Sequence, residues 1–175
     1  MSDSMAVEPS GGESPDDLQL VLLSIEHLRR WLESGTLVLA PELPPYEGEP
    51  LSGPLRAAVE TKVRNMERDP NNEKWYSYYA MVAGGRIVGL IGPKGKEQLP
   101  ERVEIGYGVS EKYQCRGYAT AAVRHLCARY TKREGIRAVV AHTAAENTPS
   151  QRVLQKAGFR RMGEESGEVI WEYRP

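Results

Sequence analysis

The chain has 175 residues, 40% hydrophobic and 27% charged, with a formal net charge of −1, the make-up of one globular unit. That charge excludes a basic nucleic-acid footprint, and two cysteines (Cys115 and Cys127) exclude a disulfide framework. His27, His125 and His142 lie too far apart to suggest a metal cluster, and no apolar run approaches bilayer-spanning length.

Residues 1–16 are acidic and rich in Ser, Gly and Pro. They read as a disordered acidic tail rather than a secretory signal. That leaves residues 17–175 as a single domain, with a reducing cytoplasm as the expected location. Leu18–Ser24 reads as a strand. Ser24 then stands as N-cap to a helix whose apolar residues Ile25, Leu28, Trp31 and Leu32 fall at helical spacing. Residues 37–54 are broken by prolines and glycines and read as a loop. Helical spacing resumes through Leu55, Val59, Val63 and Met66, and Pro70 ends it.

From Trp75 to Gly92 the aromatic and β-branched residues predict a hairpin turning at Gly84-Gly85. Arg102–Ser110 is a further strand, whose Gly106 and Gly108 signal a bulge or a close backbone approach. Tyr113–Leu126, "YQCRGYATAAVRHL", leads from a polar loop into a helix that Gly135 ends. Arg137–Ala144 reads as a strand, residues 148–158 as a short helix, and residues 159–174 as two strands about Ser166-Gly167. The order β-α-α-β-β-β-α-β-α-β-β predicts an α/β or α+β fold. The strands flanking the Gly117–Gly135 helix should be parallel neighbours with a right-handed crossover.

The start of that helix is a natural anion site, because its first backbone N–H groups are unpaired and its dipole is positive there. Gly117 allows a close approach, and Gln114 and Arg116 add side-chain donors. A phosphate loop of the Gly-Lys-Ser/Thr kind is excluded: in "GPKGKE" (residues 92–97) Glu97 follows the lysine. Cys127 falls on the helix's apolar face and reads as core.

Gln114-Cys-Arg-Gly-Tyr-Ala119 resembles the Gln/Arg-x-x-Gly-x-Gly/Ala signature of the GNAT superfamily of acetyl-CoA-dependent N-acetyltransferases. Downstream, "AHTAAENTPSQRVLQKAGF" is similar to the ribosomal-protein N-terminal acetyltransferase (RimJ/RimL-like) branch. The resemblance is specific from about Arg102 to Gly163. It implies a mixed, mostly antiparallel sheet of about seven strands and about four helices. The central parallel pair would splay around acetyl-CoA at a bulge near Gly106–Gly108.

By the same resemblance, the pyrophosphate would rest on Arg116, Gly117, Tyr118, Ala119 and Thr120, beside Gln114. Val109 would meet the pantetheine arm, and Asn147 and Ser150 would contact the cofactor. Asn147 and Ser150 read equally well as helix-start residues. Glu104 and His142 compete as the base that frees an attacking primary amine of its proton. Their plainer readings are a strand salt bridge and a packed histidine. Many relatives carry a tyrosine acid seven residues after this asparagine; here Leu154 stands there. That leaves Tyr107 and Tyr118 as the nearby hydroxyls and gives a non-catalytic acyl-CoA-sensing module some footing as the alternative.

No metal is implied. The acidic loops at Glu42, Glu47, Glu49 and at Glu164, Glu165, Glu168 suit a cationic small molecule or a peptide N-terminus as acceptor. A homodimer is common among such proteins.

Overall fold

The computed structural model describes residues 13–95 and 101–175. In chain order the elements are β1 (Gln19–Leu22), α1 (Ile25–Ser34), α2 (Gly53–Arg68), β2 (Tyr79–Ala83), β3 (Arg86–Pro93), β4 (Arg102–Val109), α3 (Tyr118–Arg133), β5 (Ala138–Ala144), α4 (Thr148–Lys156), β6 (Arg160–Glu165) and β7 (Glu168–Tyr173). The seven strands form one sheet in the order β1-β2-β3-β4-β5-β7-β6. Only β4 and β5 run parallel; every other neighbouring pair is antiparallel. The fold class, the element order and the α3 crossover match the sequence expectation.

Both faces of β2 and β3 are buried, and their side chains show how. Tyr79, Met81, Val88 and Ile91 join a core with α3 residues Val123, Leu126 and Tyr130. Ala80, Val82, Ile87 and Leu90 join a second core with Leu28 and Trp31 of α1 and Val59, Val63 and Met66 of α2. The two cores are the apolar faces of helices laid on opposite sides of one pleated layer.

Local chemistry fixes the helix ends. Ser24 Oγ accepts from His27 N at 3.3 Å, and His27 Nδ1 accepts from Ser24 N at 3.1 Å, a capping box closed by histidine. With Nδ1 accepting, Nε2 carries the proton and donates to Leu39 O at 3.2 Å. Gly35 leaves α1 at φ 75°. Asn147 caps α4, its side chain accepting from Ser150 N at 3.2 Å.

Two expectations need correction. Trp75 to Tyr78 do not begin a strand: Pro70–Trp75 is a 3-10 turn and β2 starts at Tyr79. Their aromatic character serves packing instead. Trp75 stacks on Tyr130 at 5.2 Å between centroids, and Lys62 Nζ holds the Tyr76 carbonyl at 2.8 Å.

The bulge expected near Gly106–Gly108 is also absent. The β3–β4 register runs unbroken from Gly89↔Val109 to Pro93↔Ile105, and the register shifts in the sheet lie at Met81/Val82 and Arg161/Gly163. Close backbone approach falls instead on the glycines of β3, since a Cβ on Gly108 would meet open space and one on Gly106 only the Lys94 side chain. A Cβ on Gly89 would run into the Gly108 carbonyl, and one on Gly92 would sit 2.8 Å from Ser77 O.

Of the expected tail, residues 1–12 lie outside the described residues. Ser14 caps a 3-10 turn at Pro15–Asp17, and the Tyr118 hydroxyl donates to the Glu13 carbonyl. In "GPKGKE", Gly92 and Pro93 belong to β3, while Lys96 and Glu97 lie outside the described residues.

Candidate active site

The parallel pair parts early. β4 pairs with β5 only over Arg102–Glu104 against Ala138–Val140, though β4 runs on to Val109 and β5 to Ala144. β4 keeps β3 throughout. Lys94 N donates to Glu104 O and Ser110 N donates to Val88 O, so the backbone groups of Glu104, Gly106, Gly108 and Ser110 turn toward β3. By alternation those of Ile105, Tyr107 and Val109 turn toward the opening. The expected V-shaped cleft is present, made by loss of one partner strand rather than by a bulge. Gln114 Nε2 donates to Val109 O at 3.0 Å, which leaves Val109 N–H as that residue's free group at the opening.

The loop before α3 turns its backbone donors outward. Cys115 has φ 60° and Gly117 has φ 85°, on either side of Arg116. Such left-handed residues turn successive N–H groups toward a common hollow. Gly117 is the N-cap and provides no side-chain cap, and the first intrahelical bond at this end is Ala121 N to Gly117 O at 3.0 Å. The amides of Tyr118, Ala119 and Thr120 therefore have no helical partner. Arg116 lies over the Tyr113 ring, 5.7 Å from its centroid. The Tyr118 ring itself is buried in the core.

Glu104 and His142 meet. His142 Nδ1 lies 2.9 Å from Glu104 Oε1, and Lys94 Nζ lies 3.0 Å from the same oxygen. The contact follows from register: Glu104 is opposite Val140 in the parallel pair, and His142 is the next residue of β5 on that face. His142 opens onto a cavity of about 740 Å³ that also takes in Lys62, Tyr46, Glu49, Tyr107, Asn147 and Ser150, and Glu104 stands behind it. Tyr107 Oη donates to Ser150 O at 3.2 Å, and burial pushes the Tyr107 hydroxyl up to about 12.

Lys62 was not singled out by the sequence. It is 8% exposed on the apolar face of α2, donating at 2.8 Å to Tyr76 O and at 2.8 Å to Pro93 O. Its ammonium also sits 4.2 Å from the Tyr78 ring centroid. Burial lowers its pKa from the ordinary 10.5 to about 8.

The acidic loops divide. Glu47 pairs with Lys112, whereas Glu49 faces the cavity and has no ion-pair partner among the described residues. Glu164 pairs with Arg161 at 2.8 Å. Neither it nor Glu165 nor Glu168 lines the cavity. Leu154, at the position where many relatives of this resemblance carry tyrosine, is fully buried. Among the described residues no group of three or more His, Cys, Asp or Glu could hold a metal ion.

A mixed sheet splayed at its one parallel pair, with unpaired amides at a helix start beside the opening, is the fold of an acetyltransferase domain. The acetyltransferase (GNAT) domain family matches residues 17–160, and the chain belongs to that family. Over 60 residues it is 37% identical to the uncharacterized N-acetyltransferase YnaD of Bacillus subtilis, a stretch covering 34% of this chain and 35% of that protein.

Among solved structures the chain resembles RimL, the ribosomal L7/L12 α-N-protein acetyltransferase, in complex with coenzyme A. That likeness has TM-score 0.64 and 16% identity over 90% of this chain and 93% of the other. It also resembles a dodecameric spermidine N-acetyltransferase from Vibrio cholerae, with TM-score 0.61 and 14% identity over 90% and 93%. At those identities the likeness is one of fold. The matched family is one of acetyltransferases.

Proposed function

We propose that this protein is an N-acetyltransferase that acetylates a cationic primary amine by direct attack in a ternary complex. The observation that carries the reading is that His142, which lines the cavity where β4 and β5 part, is held from behind by Glu104. Residues 17–175 act as one catalytic unit, in the cytoplasm. Among the described residues no helix is long and apolar enough to cross a membrane.

The residues present fit coenzyme A. The unpaired amides at the start of α3, with the Arg116 guanidinium beside them, match a pyrophosphate in charge and donor set. Val109 N–H is free to pair with an amide-bearing arm, and the Asn147 amide nitrogen has no protein partner among the described residues. The bound acetyl-CoA supplies an activated thioester carbonyl.

The rest falls to the side chains of this chain. A protonated acceptor must lose a proton before it can attack. Glu104 Oε1 holds the Nδ1–H of His142, which leaves Nε2 as the acceptor of that proton. Glu104 is thus the positioning partner and His142 the base. Lys94 anchors the other side of Glu104 Oε1. Amides of β4 between Tyr107 and Val109 that face the opening are the natural donors to a developing oxyanion. Tyr107, with its pKa raised to about 12, stays protonated and holds Ser150 O at the start of α4 rather than acting as a proton source.

A cationic acceptor is supported by one acid of the cavity. Lys94 is paired to Glu104, and Lys62 is satisfied by two carbonyls. That leaves Glu49 as the unpaired acid, beside the half-buried Tyr46. The neighbours above act on a protein N-terminus and on spermidine, which supports a peptide N-terminus or a polyamine here.

The test is release of the CoA thiol from acetyl-CoA with peptides, polyamines and aminoglycosides, alongside thermal stabilisation by CoA and by ATP. Turnover with a cationic amine and stabilisation by CoA alone are expected. Stabilisation by acetyl-CoA with no thiol released by any amine would replace the enzyme with an acyl-CoA sensor.

A further inference from the structure

We infer, on the reading that the α3 amides hold the CoA pyrophosphate, that residues 13–17 brace that site, with Pro15 and Tyr118 as its positioning residues. The sequence places most of this segment in an acidic tail. In the fold it lies across the start of α3 instead.

The segment is firmly built for its length. Ser14 Oγ accepts from Asp16 N at 3.3 Å. Ser14 O accepts from Asp17 N at 3.0 Å, and Pro15 O from Leu18 N at 3.3 Å. The ring of Pro15 fixes its own φ. Leu18, 4% exposed, anchors the far end in the core that α3 covers.

The segment meets the rest of the fold at two glycines. A Cβ on Gly84, in the β2–β3 turn, would lie 3.0 Å from Glu13 Cγ, and one on Gly117 would lie 3.2 Å from Pro15 Cγ. Both glycines have positive φ, 55° and 85°. Residues 13–15 thus bridge the β2–β3 turn to the N-cap of α3, and an uncharged ring is what meets the cap. Tyr118 closes the bridge. Its ring is buried in the core, and its hydroxyl donates to the Glu13 carbonyl. With the hydroxyl so engaged, Tyr118 positions the loop rather than giving a proton to substrate.

The loop needs such support. Cys115 and Gly117 hold φ of 60° and 85° on either side of Arg116. Left-handed backbone at a non-glycine residue is costly, and it persists where its surroundings fix it. Gly117 gives α3 no side-chain cap, and the Gln114 side chain reaches back to Val109 O. Pro15 and the Tyr118–Glu13 bond hold the loop from outside. An anion that binds amides already aimed at it pays less ordering than one that must gather them.

Calorimetric titration of the full chain with CoA tests the brace, alongside amide relaxation of the cofactor-free protein. Tyr118→Phe keeps the buried ring and removes the bond to Glu13 O. Pro15→Gly removes the ring over Gly117. Each should weaken CoA binding by about fivefold, a loss on the scale of one hydrogen bond. The double variant should be little weaker than either, because both loosen one brace. KM for acetyl-CoA should rise by the same factor at unchanged kcat, and the order parameters of the amides from Arg116 to Thr120 should fall. Wild-type affinity in both variants would overturn the brace. Tighter binding would overturn it too, by making the segment a competitor of the cofactor. Pro15 is only half-buried, so its variant carries the test even where Tyr118→Phe fails to fold. Arg116→Ala separates the two readings. Weaker binding there, with both brace variants at wild-type affinity, would sink the brace alone, whereas a wild type that binds no CoA would sink both.

Discussion

His142 and Glu104 touch across the parallel pair, Nδ1 to Oε1 at 2.9 Å, from positions 38 residues apart. The two side chains hold each other at the point where their strands separate. If they share the handling of one proton, their substitutions will not add. His142→Ala should lower kcat by about 10²- to 10⁴-fold. Glu104→Gln should lower it less, and the double variant should be little worse than His142→Ala. Turnover of the His142→Ala variant should recover as pH rises toward the acceptor's own pKa, where neutral amine is already present. Steady-state rates across pH read this; additive losses, or a histidine variant at full rate, would refute the shared role.

The phosphate loop gives the second prediction. Gly117 sits at φ 85°, and a Cβ there would come 3.2 Å from Pro15 Cγ. A non-glycine residue in the left-handed region costs about 1–2 kcal/mol. Gly117→Ala should therefore weaken CoA binding by roughly tenfold through distortion of the α3 amides. Arg116→Ala should weaken it without lowering the melting temperature, since Arg116 is exposed. Calorimetric titration with CoA separates the two. Unchanged affinity in both variants would move the pyrophosphate elsewhere.

Much of this site was legible because its signals are local. The glycine before a helix, the asparagine that caps α4 and the α3 crossover are each written within a few residues. The coupling of Glu104 to His142 depends on strand register, so the sequence left them as rivals. Lys62 was invisible because periodicity counts apolar residues, and a lysine three positions after Val59 reads as a gap in the face. Its partners, Tyr76 O and Pro93 O, are backbone atoms far along the chain. The acids near Glu164 were misplaced for a topological reason. β7 inserts between β5 and β6, which carries β6 to the sheet's margin.

Tyr107 gives the third prediction. Its hydroxyl reaches Ser150 O, and burial keeps it protonated to about pH 12. A group serving as a hydrogen-bond donor, rather than by titrating, leaves no limb of its own in the pH–rate profile. Tyr107→Phe should lower kcat by about tenfold, the scale of one lost hydrogen bond. The shape of the profile should stay unchanged. A limb that vanishes with the hydroxyl would instead make Tyr107 a titrating acid.

Lys62 gives the last prediction, on stability. The folded state binds its proton less tightly than the unfolded chain, with a pKa of about 8 against the ordinary 10.5. Between those values the unfolded chain holds more protons, so stability rises with pH through that window. Across the whole interval the change is on the order of 3 kcal/mol. Lys62→Met keeps the stem in the apolar face of α2 but removes the titration. Near neutral pH two opposing effects meet in this variant: relief of a buried charge, and loss of the bonds to Tyr76 O and Pro93 O. The sign of its stability change there is therefore not diagnostic, but the slope is. Urea unfolding of wild type and variant from about pH 7 to about pH 10 should give curves that move apart in favour of the wild type as pH rises. Parallel curves would mean that Lys62 keeps an ordinary affinity for its proton, and that its ammonium is less cut off from water than its burial indicates.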